Sequence, residues 1–293
     1  MPRRMIALAP IALAIAAPVR AEPIDDAPPL VMAVIDPRAA LSVDALWLRG
    51  TSPSVDGVVG KLAYRHQLGA HAWIEGGLGV AWAAVAPETG LSLTNATVDA
   101  GYRLTRRAAI RARLGLPSAA GGGRSGSAAA SITALRVDDP AHSAPSTTSV
   151  GAYGDWRTDG PGDRPKAYAQ LEAGIELWSG DTFTPVLRVG VGGGVRVAPR
   201  LILAGELTTL AYILDAGAPE DFVHALDLGA TIRIPSGTLT TRLEVPLDRA
   251  FRSRDTFLVG LAYRWGRSTG DVPVPSAEAS LRIHPTARSS RGL

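Results

Sequence analysis

Phe257-Leu258-Val259-Gly260-Leu261-Ala262-Tyr263-Arg264-Trp265 is the stretch on which the reading of the fold turns. Successive side chains of an extended chain point to opposite sides, so Phe257, Val259, Leu261, Tyr263 and Trp265 share one face, and Leu258, Gly260, Ala262 and Arg264 share the other. The segment before it divides in the same way: Leu239, Leu243, Val245 and Leu247 lie against Thr240, Arg242 and Glu244. Farther back, Val98, Ala100, Tyr102 and Leu104 lie against Asn95, Thr97, Asp99 and Arg103. A period of two, recurring between turn signals, matches a strand template and not a helix template.

Working outward, the alternation predicts strands at roughly 40–49, 56–68, 71–84, 92–104, 108–117, 147–157, 167–178, 184–197, 200–212, 224–235, 238–247 and 256–266. Most are near the length a tilted strand needs to cross a bilayer, or somewhat longer, and their number, about twelve, has the even parity of single-chain bacterial barrels. The expected fold is therefore all-β, a transmembrane antiparallel up-and-down β-barrel. Short turns are expected at Leu68-Gly69-Ala70, Thr105-Arg106-Arg107, Ala198-Pro199 and Pro235-Ser236-Gly237, with a longer connection near 158–166. The opposite connections, near 50–55, 85–91, 117–146, 179–183, 213–223 and 248–255, are expected to be generally longer, as extracellular loops are. In the longest, Gly121-Gly122-Gly123 reads as a flexible tip. Ser127 to Val137 reads as a short helix, a loop folded into the lumen, or a disordered surface loop.

Alternation alone fits a soluble sandwich as well. The aromatic residues separate the two, because Trp and Tyr favour the headgroup level of a membrane, whereas a soluble core uses aromatics centrally. With strand directions alternating, Trp47, Trp82, Trp178, Phe183, Tyr212, Phe222 and Phe257 fall toward one end. Tyr64, Trp73, Tyr102, Trp156, Tyr168, Tyr263 and Trp265 fall toward the other. The membrane-interface set is accordingly Trp47, Tyr64, Trp73, Trp82, Tyr102, Trp178, Phe257, Tyr263 and Trp265. Strict alternation puts Trp73, Tyr168, Trp178 and Tyr212 on the inner face, so bulges or local register shifts are expected there.

The segment Leu258 to Trp265 resembles the last-strand signal by which bacterial outer-membrane proteins are recognised by the barrel-assembly machinery. Gly260, Tyr263 and Trp265 match its spaced glycine and aromatic positions. Leu258 stands where a polar residue is usual, and a tail to Leu293 follows. The wider resemblance, to porin-like outer-membrane β-barrels, covers about residues 40–266. It implies a Gram-negative outer membrane, with outer-membrane lipid and the assembly machinery as partners.

The termini agree with export. Arg3 and Arg4, the apolar stretch Met5 to Ala17 and the small-residue site Val19-Arg20-Ala21 follow the order of a signal peptide, expected over 1–21. Residues 22–38, rich in Pro and Asp, read as a periplasmic lead-in, 39–266 as the barrel, and 267–293 as a flexible tail. No later run of about 18 uncharged apolar residues offers a transmembrane helix. Apolar residues form 46% and charged residues 19% of the chain, which excludes a disordered polyelectrolyte. The formal charge of +3 includes no long basic run, so no nucleic-acid partner is expected. The sequence has no cysteine, which removes disulfides, Cys-ligated zinc and thiol nucleophiles.

The candidate lumen and selectivity residues are Asp44, Lys61, Arg65, Glu75, Asp99, Arg103, Arg111, Arg113, Glu172, Arg188, Glu206, Asp227, Arg233, Arg242 and Glu244. Asp155, Arg157, Glu176, Arg196 and Arg264 share that face. Their signs are mixed, which suits either cross-strand pairing that fills a narrow barrel or a selective pore for small solutes. The remaining alternatives are a closed structural or adhesion barrel with partner-binding loops, and a lipid-modifying hydrolase, for which His224 at a strand end is the residue to test. No catalytic set, metal or cofactor is expected, because none of His66, His71, His142, His224 and His284 has a serine or ligand partner at a recognisable spacing. Gly190-Val191-Gly192-Gly193-Gly194 lacks the Lys-Ser/Thr and helix of a phosphate loop and reads as a strand stripe that allows close side-chain approach.

Overall fold

In the computed structural model the described residues are 30, 32, 38–51, 54–85, 88–105, 107–118, 147–159, 167–179, 183–213, 222–234, 236–248 and 256–266. The segment expected as a signal peptide, 1–21, most of the expected lead-in, the 119–146 part of the long connection and the tail expected from 267 lie outside them.

The alternating runs form β1 (Ala40–Thr51), β2 (Ser54–Gln67), β3 (Ala72–Val85), β4 (Glu88–Leu93), β5 (Ala96–Arg103), β6 (Ala108–Leu116), β7 (Thr148–Asp159), β8 (Ala167–Ser179), β9 (Phe183–Ala198), β10 (Leu201–Tyr212), β11 (Phe222–Ile234), β12 (Gly237–Pro246) and β13 (Phe257–Gly266). Each pairs antiparallel with its chain neighbour, except that β4 and β5 both pair with β3, on successive parts of its length. They are two halves of one stave, so thirteen segments make a closed barrel of twelve staves. Closure is made by β1, which holds β2 on one side and β13 on the other, with Ala40 opposite Gly266 and Arg49 opposite Phe257. Both ends of the barrel sequence thus meet at one rim, here called the terminal end, and the long 117–147 connection leaves from the opposite, loop end.

The predicted short turns at Leu68-Gly69-Ala70 and Ala198-Pro199 are present, while Arg106 and Pro235, in the other two, lie outside the described residues. Gly69 takes a φ of 122°, the left-handed region that a side chain disfavours, at the β2–β3 reversal. Two loop-end connections are shorter than expected. Thr51 pairs with Ser54 and Val85 with Glu88, so both hairpins close over two residues because their strands run on to the rim. The stave predicted at 92–104 begins at Glu88 and breaks at Thr94 and Asn95. Ser118, at the foot of the long loop, supports the break: its hydroxyl donates to the Thr94 carbonyl at 2.9 Å and accepts the Ala96 amide at 2.7 Å.

The barrel is oily outside and ionic inside. Leu62 is 54% exposed and Leu261 51%, in a wall that also shows Leu78, Val80, Ile110, Val150, Leu203 and Leu228. Glu206, Asp227 and Glu244, on the opposite face of their strands, are 0–1% exposed. A water-soluble barrel would have the reverse arrangement. Among the described residues no helix is long and apolar enough to cross a membrane, which says nothing against crossing by strands.

Trp47, Tyr64, Trp82, Tyr102, Trp156, Phe183, Phe222 and Trp265 are exposed on the outer wall. Phe257 and Tyr263 share their face and pack edge-on against Trp47 and Trp265. Trp73, Tyr168, Trp178 and Tyr212 correct the expected bulges. Strict alternation holds through all four positions; the one irregular register, at Leu201 and Ile202, lies elsewhere. Trp73 and Trp178 therefore belong to the lumen and not to the interface set. Trp73 is 1% exposed and fills the space above Gly101, where any Cβ would collide with its ring.

Candidate functional site

The lumen is the candidate site, and side chains of differing character line it at successive levels. Near the loop end two apolar clusters face inward, with buried hydroxyls such as Ser92, Ser149 and Thr184 at similar depth. Leu46, Leu48, Val59, Ala81, Ala83 and Leu258 cluster on one side. Val186, Leu210, Val223 and Ala225 cluster on the other, with Trp178 and Tyr212 packed against them. Trp178 and Tyr212 meet edge to face at 5.9 Å. This lining was not foreseen, since attention to charged positions passed over Leu46 and Leu48, which share a face with Asp44.

Below it lies an ionic belt. Arg111 of β6 reaches three carboxylates from three different strands: Asp99 at 3.1 Å, Asp155 at 3.0 Å and Glu172 at 2.8 Å. Arg113 holds the same Asp99 oxygen at 2.7 Å, and Arg188 holds Glu172 at 2.6 Å. Tyr153 stands inward in their midst. Its ring lies under the Arg111 guanidinium at 4.5 Å, and its hydroxyl donates to Glu176, which also accepts the Trp178 indole N–H at 2.6 Å. Tyr153 was missed by the sequence reading, although its odd number in β7, shared with Asp155 and Arg157, gives its direction. Each acid of the belt has a cation or a hydroxyl or indole donor, which is the condition for burying charge.

Across the lumen Arg242 reaches Asp44 at 3.3 Å. Glu206, Asp227 and Glu244 stand in register on β10, β11 and β12. Lys61 faces inward beside Gly77. Nearer the terminal end, Arg65 bonds Glu75 at 2.8 Å and lies 5.1 Å from the Trp73 ring, and Arg157 lies 4.4 Å from Tyr168. Arg103 donates to the Ala70 carbonyl at 3.0 Å, and Arg233 is buried beside Thr238.

Leu30 and Met32, expected in the lead-in, stand inside the lumen. The backbone N–H groups of both donate to the Glu206 carboxylate, at 2.5 Å and 2.9 Å. The wall beneath them is bare: a Cβ on Gly192 would lie 2.9 Å from Met32 Cε, one on Gly190 3.1 Å from Met32 Cγ, and one on Gly229 2.7 Å from Leu30 Cδ2. The glycine stripe of β9 thus allows the close approach read from its sequence, and what approaches is the chain's own N-terminal segment.

His224 lies at the loop end of β11. Its ring Nδ1 meets the Thr209 hydroxyl at 2.9 Å, while Asp248 accepts from its backbone N–H at 2.6 Å and not from its ring. Among the described residues the ring thus has a hydroxyl neighbour and no hydrogen-bonded acid that would orient it as a general base.

No protein-family model matches the sequence, and no curated protein matches it. Among solved structures, an outer membrane channel from Pseudomonas putida F1 is similar, with a TM-score of 0.53 and 16% identity, over 82% of this chain and 99% of that one. The translocator domain of the autotransporter NalP from Neisseria meningitidis has a TM-score of 0.50 and 10% identity, over 79% and 89%. LpxR from Salmonella typhimurium has a TM-score of 0.46 and 9% identity, over 77% and 99%. This chain has the fold of bacterial outer-membrane β-barrels. Identities so low establish the barrel's architecture and leave its chemistry to its own residues.

Proposed function

We propose that the barrel is a passive outer-membrane channel for small solutes, exported by the signal at 1–21 and inserted with the help of the barrel-assembly machinery. One observation carries the reading. A barrel built only as a scaffold fills its interior with side chains of its own wall. Here the β9–β11 sector is stripped to Gly190, Gly192 and Gly229, and the space is taken by Leu30 and Met32, a filling tied to the wall through the Glu206 carboxylate. A bore closed by a detachable segment can open without unfolding a single strand, because β1 begins only at Ala40. The apolar loop-end lining and the ionic belt then meet a solute in turn, so that an amphiphilic solute finds complementary surface at both levels.

Refolded protein in planar bilayers tests this. Discrete single-channel steps are expected, larger and longer-lived after deletion of residues 22–37. A fully folded protein that conducts in neither form overturns the channel and favours a closed structural barrel.

A further inference from the structure

Six strands run from the loop end to the terminal end: β2, β5, β7, β9, β11 and β13. Each places an arginine on its inward face within its last three residues, namely Arg65, Arg103, Arg157, Arg196, Arg233 and Arg264. The strands between them contribute mostly neutral partners. Ala40 stands opposite Arg65, Ala109 opposite Arg103, Gln170 opposite Arg157 and Ile202 opposite Arg196. Arg233, Thr238, Arg264 and Ser42 are in register across four adjacent staves, so the series joins up on itself where the barrel closes. Among the described residues Glu75, opposite Arg65, is the single carboxylate in register with any of the six.

The next carboxylates up the wall are engaged by other groups: Asp99, Asp155 and Glu172 by Arg111, Asp44 by Arg242, and Glu206 by the Leu30 and Met32 amides. The same lumen thus shows two ways of using arginine. In the belt the signs alternate and cancel; at the terminal mouth, among the described residues, the six arginines stand round the rim with Glu75 as the one acid in register with them. Like charges on low-dielectric walls repel one another and focus a positive potential on the axis between them. The summed charge makes this field, whatever hydrogen bonds the individual guanidinium groups also make. Guanidinium is planar, always charged and shaped to bond two oxygens of one carboxylate, phosphate or sulfate.

From this arrangement we infer that the terminal mouth is an anion-binding ring, and that it selects small oxyanions carrying two or more negative charges. The binding site stands on the arginine geometry alone; its part in selective passage rests on the channel reading above.

The test has two arms, so that the two can fail separately. In the first, folded protein in a neutral detergent is titrated with pyrophosphate against chloride at equal ionic strength, and tryptophan emission is followed, since Trp73 lies under Arg65. A saturable change with pyrophosphate alone is expected, weakened at least about tenfold in Arg196→Gln/Arg264→Gln by loss of two charge-assisted contacts. No saturable change, or the same affinity in the double variant, overturns the ring. In the second arm, the reversal potential is measured across a potassium chloride gradient. A chloride-selective potential that moves toward zero in the double variant supports the inference. Conduction that favours potassium overturns it while leaving the channel standing, and a non-conducting protein that still binds pyrophosphate overturns the channel and leaves the ring. Heat-modifiable migration checks that the variant is folded, and Arg196→Gln alone replaces it if it is not.

Discussion

Arg111 holds Asp99, Asp155 and Glu172 with one guanidinium, and all four side chains are nearly cut off from solvent. Truncating it leaves three buried carboxylates facing one another with Arg113 and Arg188 as their remaining cations. Arg111→Leu is therefore expected to destabilise the barrel by about 3–5 kcal/mol, the scale for removing one partner of a buried ionic group. The check is the temperature at which the folded form disappears from an unheated gel series, which should fall well below that of the parent. An unchanged temperature would mean that the belt is not what holds these strands together. The direction of Arg111 was legible from parity in β6. Its three partners were not, because β5, β7 and β8 are brought beside it by registers that no local pattern encodes.

At the scale of the strand, period-two alternation located every stave to within a few residues, and its errors have physical causes. The hairpins at 52–53 and 86–87 were read as longer loops because Pro and polar residues there signal a turn but do not give its length. The break at Thr94–Asn95 depends on Ser118 at the foot of another strand, a partner that the segment itself does not reveal. Strand faces make a depth-dependent prediction. Leu261, outward at the middle of β13, is expected to cost about 2–4 kcal/mol as Leu261→Arg, and Phe183, outward at the loop-end start of β9, about 0–1 kcal/mol as Phe183→Arg. Equilibrium refolding into lipid vesicles measures both. Equal costs would count against an apolar band bounded by aromatic rims.

For the whole molecule, closure by β1 and β13 joins the first stave to the last, leaving β4 with β3 as its one partner among the described residues, and folded barrels of this kind resist detergent until heated. Unheated protein should migrate apart from heated protein on a gel, and deletion from residue 257 onward, which removes β13, should abolish the folded band. The sequence by itself determined the all-β class, the number and placing of the staves, which charges share a face, and, through the aromatic rims, that this face is the inside. These are local consequences of an extended chain and of the medium each face meets, so they can be read along the chain. Tertiary structure alone decided that alternation runs unbroken through Trp73 and Trp178 where bulges were expected, that six arginines from six strands form one rim, and that Leu30 and Met32 lie against glycines more than 150 residues away along the chain. Each of these depends on the register between strands and on closure, which place distant residues at one height, and a single strand contains no record of what stands across the lumen from it.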